Sequence, residues 1–166
     1  MYKIGDFVFH QHSGVCEVED IREEQFPSGV KQCYIMHPLG TKADAKVMVP
    51  VNSHNGMVRS VYTPEEIDDI IAESAEVEVP WIEKNNVRKA TFSDIIHKGE
   101  TVEVLALIYR MRQQEEVLVA SGKKLTATDE RLLSEATKKI DQGFAFSLKI
   151  EEGEVLPYVL EKLNKA

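Results

Sequence analysis

No run of apolar residues in this chain of 166 reaches the ~18–20 residues that a bilayer span requires. The opening residues, Met1-Tyr2-Lys3-Ile4-Gly5-Asp6, lack the apolar stretch of a signal peptide. Cysteine is scarce: Cys16 and Cys33 are the only two, and both are compatible with a reducing compartment. The chain therefore reads as soluble and cytoplasmic. Also missing are a Gly-rich phosphate loop and a Gly-x-Ser-x-Gly elbow. Acidic clusters such as Glu23-Glu24 and Glu65-Glu66-Asp68-Asp69 read as solvated faces or helix N-terminal charge rather than paired catalytic carboxylates. Together these absences point to a binding module, not an enzyme, and to no small-molecule substrate.

Basic residues are absent from one segment altogether. Residues 63–83 carry 8 acidic side chains and no basic one, which matches the net charge of −8 for the whole chain. The 67 residues that follow, 84–150, carry 12 bases against 9 acids. The overall charge taken alone argues against nucleic acid, whereas its distribution leaves a mildly basic region after an acidic one. With 43% apolar residues the chain has enough material for a core, as one domain or two small ones.

Two grammars divide the sequence. "KIGDFVFH", "GVCEVEDI", "QCYIMHPL" and "KVMVPV" alternate or cluster apolar residues as short strands, and "MVRSV" adds a fifth. Pro27 and Gly29 mark a hairpin turn, and Pro50 suggests an edge strand. From Thr63 the signals are helical. "TPEEIDDII" offers Thr at the N-cap, Pro at the first helical position and acids in the first turn. Further helices are expected over about 84–98, with Val87, Phe92, Ile95 and Ile96 inward and Gly99 as the stop, and over about 101–120. Thr126 and Asp129 have capping-box spacing ahead of a fourth, although Asp is shorter than the usual Glu or Gln. The last, about 154–164, puts Leu156, Val159, Leu160 and Leu163 on one stripe. The expectation is an α+β chain of two domains: a small, strongly bent antiparallel sheet or open barrel over 1–61, then a helical bundle over 62–166 that includes the acidic connecting segment 63–83.

His10, His12 and Cys16 stand within seven residues and admit either a metal site or a turn between two strands. A zinc site needs three or four ligands, and Cys33, His37 and His54 show no paired spacing to complete one.

The order of several short motifs resembles one family. Residues 2–21, "YKIGDFVFHQHSGVCEVEDI", are similar to the opening of the CarD/CdnL family of bacterial transcription regulators. The matching features are the Gly5-Asp6 turn, the strand Phe7 to Phe9, the His-containing turn His10 to Gly14, then Val15 and Ile21. "VMVPV" (47–51), Arg88, "HKGE" (97–100), the Thr126–Asp129 pair and "ERLLSEA" (130–136) follow in family order. The resemblance implies a Tudor-like first domain that binds the RNA polymerase β subunit, as in transcription-repair coupling factor. It also implies a helical domain that contacts promoter DNA at the upstream edge of the melted bubble. There a Trp wedges into the minor groove and basic residues hold phosphates. On this reading "HQHSGVC" is a strand-linking turn, with Gly14 serving the tight backbone and with no metal or cofactor.

The chain departs from the family pattern at the wedge. The family Trp position falls at Asn85, and the only Trp is Trp81, four residues upstream. Val87 replaces a typical base, Lys89 an aromatic, and on the polymerase side Met48 and Glu24 stand where bases are common. The expected polymerase contacts are Lys46, Met48 and Arg59. The expected DNA contacts are Arg88, carried over from the family, with Lys84 and Lys89 beside it, Lys123 and Lys124 in the loop before the capped helix, and Trp81 as wedge or as packing residue. Two functions follow: a regulator of promoter open-complex stability, or a polymerase-binding adaptor with little DNA contact.

Overall fold

The computed structural model describes residues 1–52 and 57–165. The chain divides into two compact units, Met1–Val61 and Tyr62–Ala166.

The first unit is a five-stranded antiparallel sheet of β1 (Phe7–His10), β2 (Gly14–Phe26), β3 (Gly29–Pro38), β4 (Val47–Pro50) and β5 (Val58–Ser60), in the order β4-β3-β2-β1-β5. Among the described residues the sheet is open, with β4 and β5 as its two edges. Pro50 sits on edge strand β4, where its missing N–H costs no ladder bond. The core alternates along the strands as a two-residue period demands, through Val8, Cys16, Val18, Tyr34, Met36 and Val49. A bulge between Val18 and Asp20 shifts the phase of β2 by one. As a result the next core residue is odd-numbered Ile21, and the Glu19 carboxylate accepts from Lys46 Nζ. β1 pairs with β2 over Gly14–Glu17 and β4 with β3 over Cys33–Met36. Among the described residues no third strand flanks the outer end of the β2–β3 hairpin, residues 23–31.

The second unit contains α1 (Pro64–Ser74), α2 (Asn85–Lys98), α3 (Thr101–Ala120), α4 (Ala127–Leu148) and α5 (Val155–Lys165), with a 3-10 turn at Glu152–Glu154. Thr63 Oγ1 accepts from Glu66 N at 3.1 Å and starts α1. Gly99 caps α2, its N–H donating to the Ile95 carbonyl at 2.9 Å, and a Cβ there would lie 2.5 Å from the same oxygen. A complete capping box stands where no Ser or Thr announces one: Glu100 and Glu103 exchange side-chain bonds at the start of α3. Ile67, Phe92, Leu107, Met111, Leu132 and Phe144 fill the core. Val87 corrects its expectation: it is 44% exposed. The inward face of α2 runs Arg88, Phe92, Ile96 at four-residue spacing, and a charged residue holds the place assigned to an apolar one.

Candidate functional site

His10 sits at the end of β1 and is buried. Its Nδ1 accepts from the backbone N–H of His12 at 3.3 Å and of Ser13 at 3.1 Å. Gly14 takes φ +76° to bring the chain back as β2. Burial, and then the neighbouring His12, push the His10 pKa down, which keeps Nδ1 an acceptor. The histidine is therefore a turn-former. Cys16 is a core thiol pushed up to about 11 by burial, and His37 Nδ1 lies 3.0 Å from the Ala45 carbonyl. His54 lies outside the described residues. Among the described residues no three His, Cys, Asp or Glu side chains gather as a metal site.

The sequence-expected polymerase contacts do not share one edge of the sheet. Lys46 and Met48 lie just before and on β4, where Met48 is 45% exposed. Arg59 is on β5, the opposite edge, with its guanidinium 4.3 Å from the Phe9 ring centre.

In the helical unit the clearest local chemistry surrounds Arg88, which is 4% exposed. Its Nε donates to Asp129 Oδ1 at 3.0 Å and its Nη2 to Asp129 Oδ2 at 2.7 Å, a two-pronged pair with a carboxylate that is 3% exposed. Nη2 also donates to Asn85 Oδ1 at 2.8 Å. Nη1 donates to the carbonyls of Ile82 at 2.8 Å and Glu83 at 3.4 Å. A guanidinium has five N–H groups, and these bonds occupy them all. Arg88 is thus an internal fastener between the approach to α2 and the first turn of α4. In this structure none of its donors points to solvent, where a phosphate contact would need one.

Asp129 explains the incomplete capping box. Its N–H donates to Thr126 Oγ1 at 3.1 Å, while its carboxylate turns to Arg88 instead of back to the cap. Trp81 lies over the same guanidinium, 4.7 Å from ring centre to Arg88 Cζ. It packs edge-on against Phe92 at 5.7 Å, with Arg110 at 5.7 Å on its ring. Asn85 serves as part of the Arg88 cage.

The lysines fare differently. Lys84, Lys89, Lys123 and Lys124 are all exposed. Because Arg88 in α2 bonds Asp129 in α4, the starts of these two helices lie side by side. Lys84 and Lys89 flank one, and Lys123 and Lys124 precede the other. Each start also presents the positive end of a helix dipole. Sequence reasoning did not find Asp129 as a partner. Its one trace was an arginine four residues ahead of Phe92, in step with the inward face.

No described helix is long and apolar enough to cross a membrane. No curated protein matches the chain. Residues 2–62, the sheet unit and the first residue beyond it, match the family model of the CarD-like/TRCF RID domain, a transcription-associated module that interacts with RNA polymerase. The match covers 61 of the 166 residues and identifies a CarD-like/TRCF RID domain in the first unit.

Proposed function

We propose that this protein is a cytoplasmic regulator of transcription initiation. Residues 1–61 dock the RNA polymerase β subunit, and the helical unit acts on the promoter open complex. Edge strand β4, with exposed Met48 and Lys46, suits addition to a partner's sheet. The observation that supports the DNA half is the Arg88–Asp129 pair, which joins the start of α2 to the start of α4, the two helix starts next to which exposed Lys84, Lys89, Lys123 and Lys124 stand in the chain. In this reading Lys84, Lys89, Lys123 and Lys124 hold phosphates, and Arg88 and Trp81 keep the surface in shape from within.

The adaptor reading has its own support: the Arg88 donors are all used, and Trp81 is packed where a wedge would have to leave its pocket. Open-complex lifetime with the cognate polymerase tests both. Replacing the four lysines with alanine shortens the lifetime and lowers the salt slope of binding by roughly one for each phosphate no longer held. An unchanged lifetime and slope would leave the adaptor reading standing. A pull-down in which residues 62–166 capture β and residues 1–61 do not would overturn the polymerase half.

A further inference from the structure

The helical unit carries a groove of about 900 Å³. One wall is α3, through Ala106, Tyr109 and Gln113; the other is α5, through Leu156, Leu160 and Leu163. On both walls these positions recur at one-turn spacing. The extended stretch Val77–Pro80 closes one side. Tyr109 is fixed in place, because its Oη lies 3.1 Å from the buried Ser74 hydroxyl. Leu160, on the apolar stripe of α5, is 48% exposed at this groove.

Charge around the groove is uneven. Glu78, Glu115 and Glu116 line it, and exposed Glu73 and Glu76 stand next to it in a segment without a single base. Two arginines also line it, each facing another group of the unit. Arg110 lies on the Trp81 ring, and Arg112 has its Nε buried and its charge set against Asp141. With both arginines so engaged, the lining carboxylates of Glu78, Glu115 and Glu116, beside the neutral amide of Gln113, give this largely apolar groove an acidic balance. Small-molecule sites differ in having polar groups that converge inside the pocket. Nucleic acid would meet like charge here.

We propose that this groove docks an amphipathic α-helix of a partner protein, with an apolar stripe against α3 and α5 and lysine or arginine along its edges. Helical walls with apolar residues one turn apart accept the matching spacing of such a helix. The acidic rim selects its charge. The inference is independent of whether the lysine end touches DNA, and its test contains neither polymerase nor DNA except as a competitor.

The test uses the full chain and two fluorescein-labelled helical peptides that share one leucine stripe, one with lysine flanks and the other with glutamate. Anisotropy should show the lysine peptide bound at least about ten-fold tighter, with the preference fading as salt rises. Leu160→Asp should weaken it about ten-fold, while Glu78→Lys with Glu116→Lys should reverse the preference. Thermal melting checks that each variant is folded. Should Leu160→Asp melt early, the rim variant alone decides. Equal binding of the two peptides, no binding of either, or insensitivity to the rim variant would overturn the proposal. So would displacement of the peptide by duplex DNA. A chain that sediments as a dimer, and as a monomer with Leu160→Asp, would assign the groove to a second copy and also overturn it.

Discussion

Replacing Arg88 with alanine strips a buried carboxylate of its partner. In the native unit Asp129 is 3% exposed and takes two charge-assisted bonds, at 2.7 and 3.0 Å, from one guanidinium. Without Arg88 the carboxylate must stay charged and unpaired or force the start of α4 open to water. The Ile82 carbonyl loses its donor, and the Trp81 ring loses the cation beneath it. Breaking one side of a buried pair costs about 3–5 kcal/mol. A shift of about 10 °C or more in melting temperature follows for a unit of this size. Arg88→Lys should recover only part, since one ammonium cannot span both carboxylate oxygens and the carbonyls at once. The double variant Arg88→Met with Asp129→Leu removes both charges and should be more stable than either single variant. The assay is urea unfolding of the full chain, read by far-UV circular dichroism and by the emission of Trp81, the only tryptophan. An Arg88→Ala variant within about 0.5 kcal/mol of the parent would refute this reasoning, because only a surface residue is so cheaply lost.

Asp141 is raised to about 6 by burial and then by Glu152, against the pull of Arg112, so the folded chain holds this proton more tightly than the unfolded one. Its stabilising effect is full below about pH 4 and is lost as pH rises towards 6; Asp141→Asn should therefore add roughly 1 kcal/mol at pH 7, after allowance for solvent screening, and nothing below pH 4, as read from urea midpoints. His10 has the opposite sign: its pKa is lowered, so its contribution is whole above about pH 6.5 and lost as pH falls below that. His10→Asn, which keeps an acceptor without a titrating group, should flatten the loss of sheet stability between pH 7 and 5, and an unaltered slope would refute the assignment. Gly99→Ala should cost roughly 1–3 kcal/mol in denaturant titration, because its Cβ meets the Ile95 carbonyl at 2.5 Å.

Local rules carried the element plan. Thr63-Pro64 with its acids begins α1 where expected, the Pro27–Gly29 turn joins β2 to β3, and α3 runs over Thr101–Ala120 as its spacing predicts. Such signals lie within a few residues of one another, so they can be read without knowing the tertiary contacts. The misreadings were of another kind. Arg88 and Asp129 are 41 residues apart, and a hydrophobic pattern scores each as polar and outward. Only the pairing lets both turn inward, and pairing is a property of the fold. Arg88 then displaces Val87 from the core face of α2. Strand order in the sheet is likewise a property of the fold. Lys46, Met48 and Arg59 look interchangeable along the chain, but strand order puts Arg59 on the far edge. The His10 turn lay between: its resemblance to a family turn was visible in sequence, but the imidazole nitrogen that collects two amides was not.

The unflanked end of the β2–β3 hairpin has a consequence for how this domain can vary. Residues 23–31 form a two-stranded arm that pairs Glu24 with Lys31 and Gln25 with Val30, and turns at Pro27 and Ser28. A ribbon of two strands is marginal by itself and leans on the sheet from which it grows. It is therefore free to breathe, with amides that exchange before those of the core strands. It is also free to change length. Residues gained or lost in cross-strand pairs keep the register and leave Cys16, Val18, Tyr34 and Met36 untouched, whereas a single inserted residue would turn every side chain beyond it to the opposite face. The arm is a part of the domain whose reach can drift in even steps while the core beneath it stays the same.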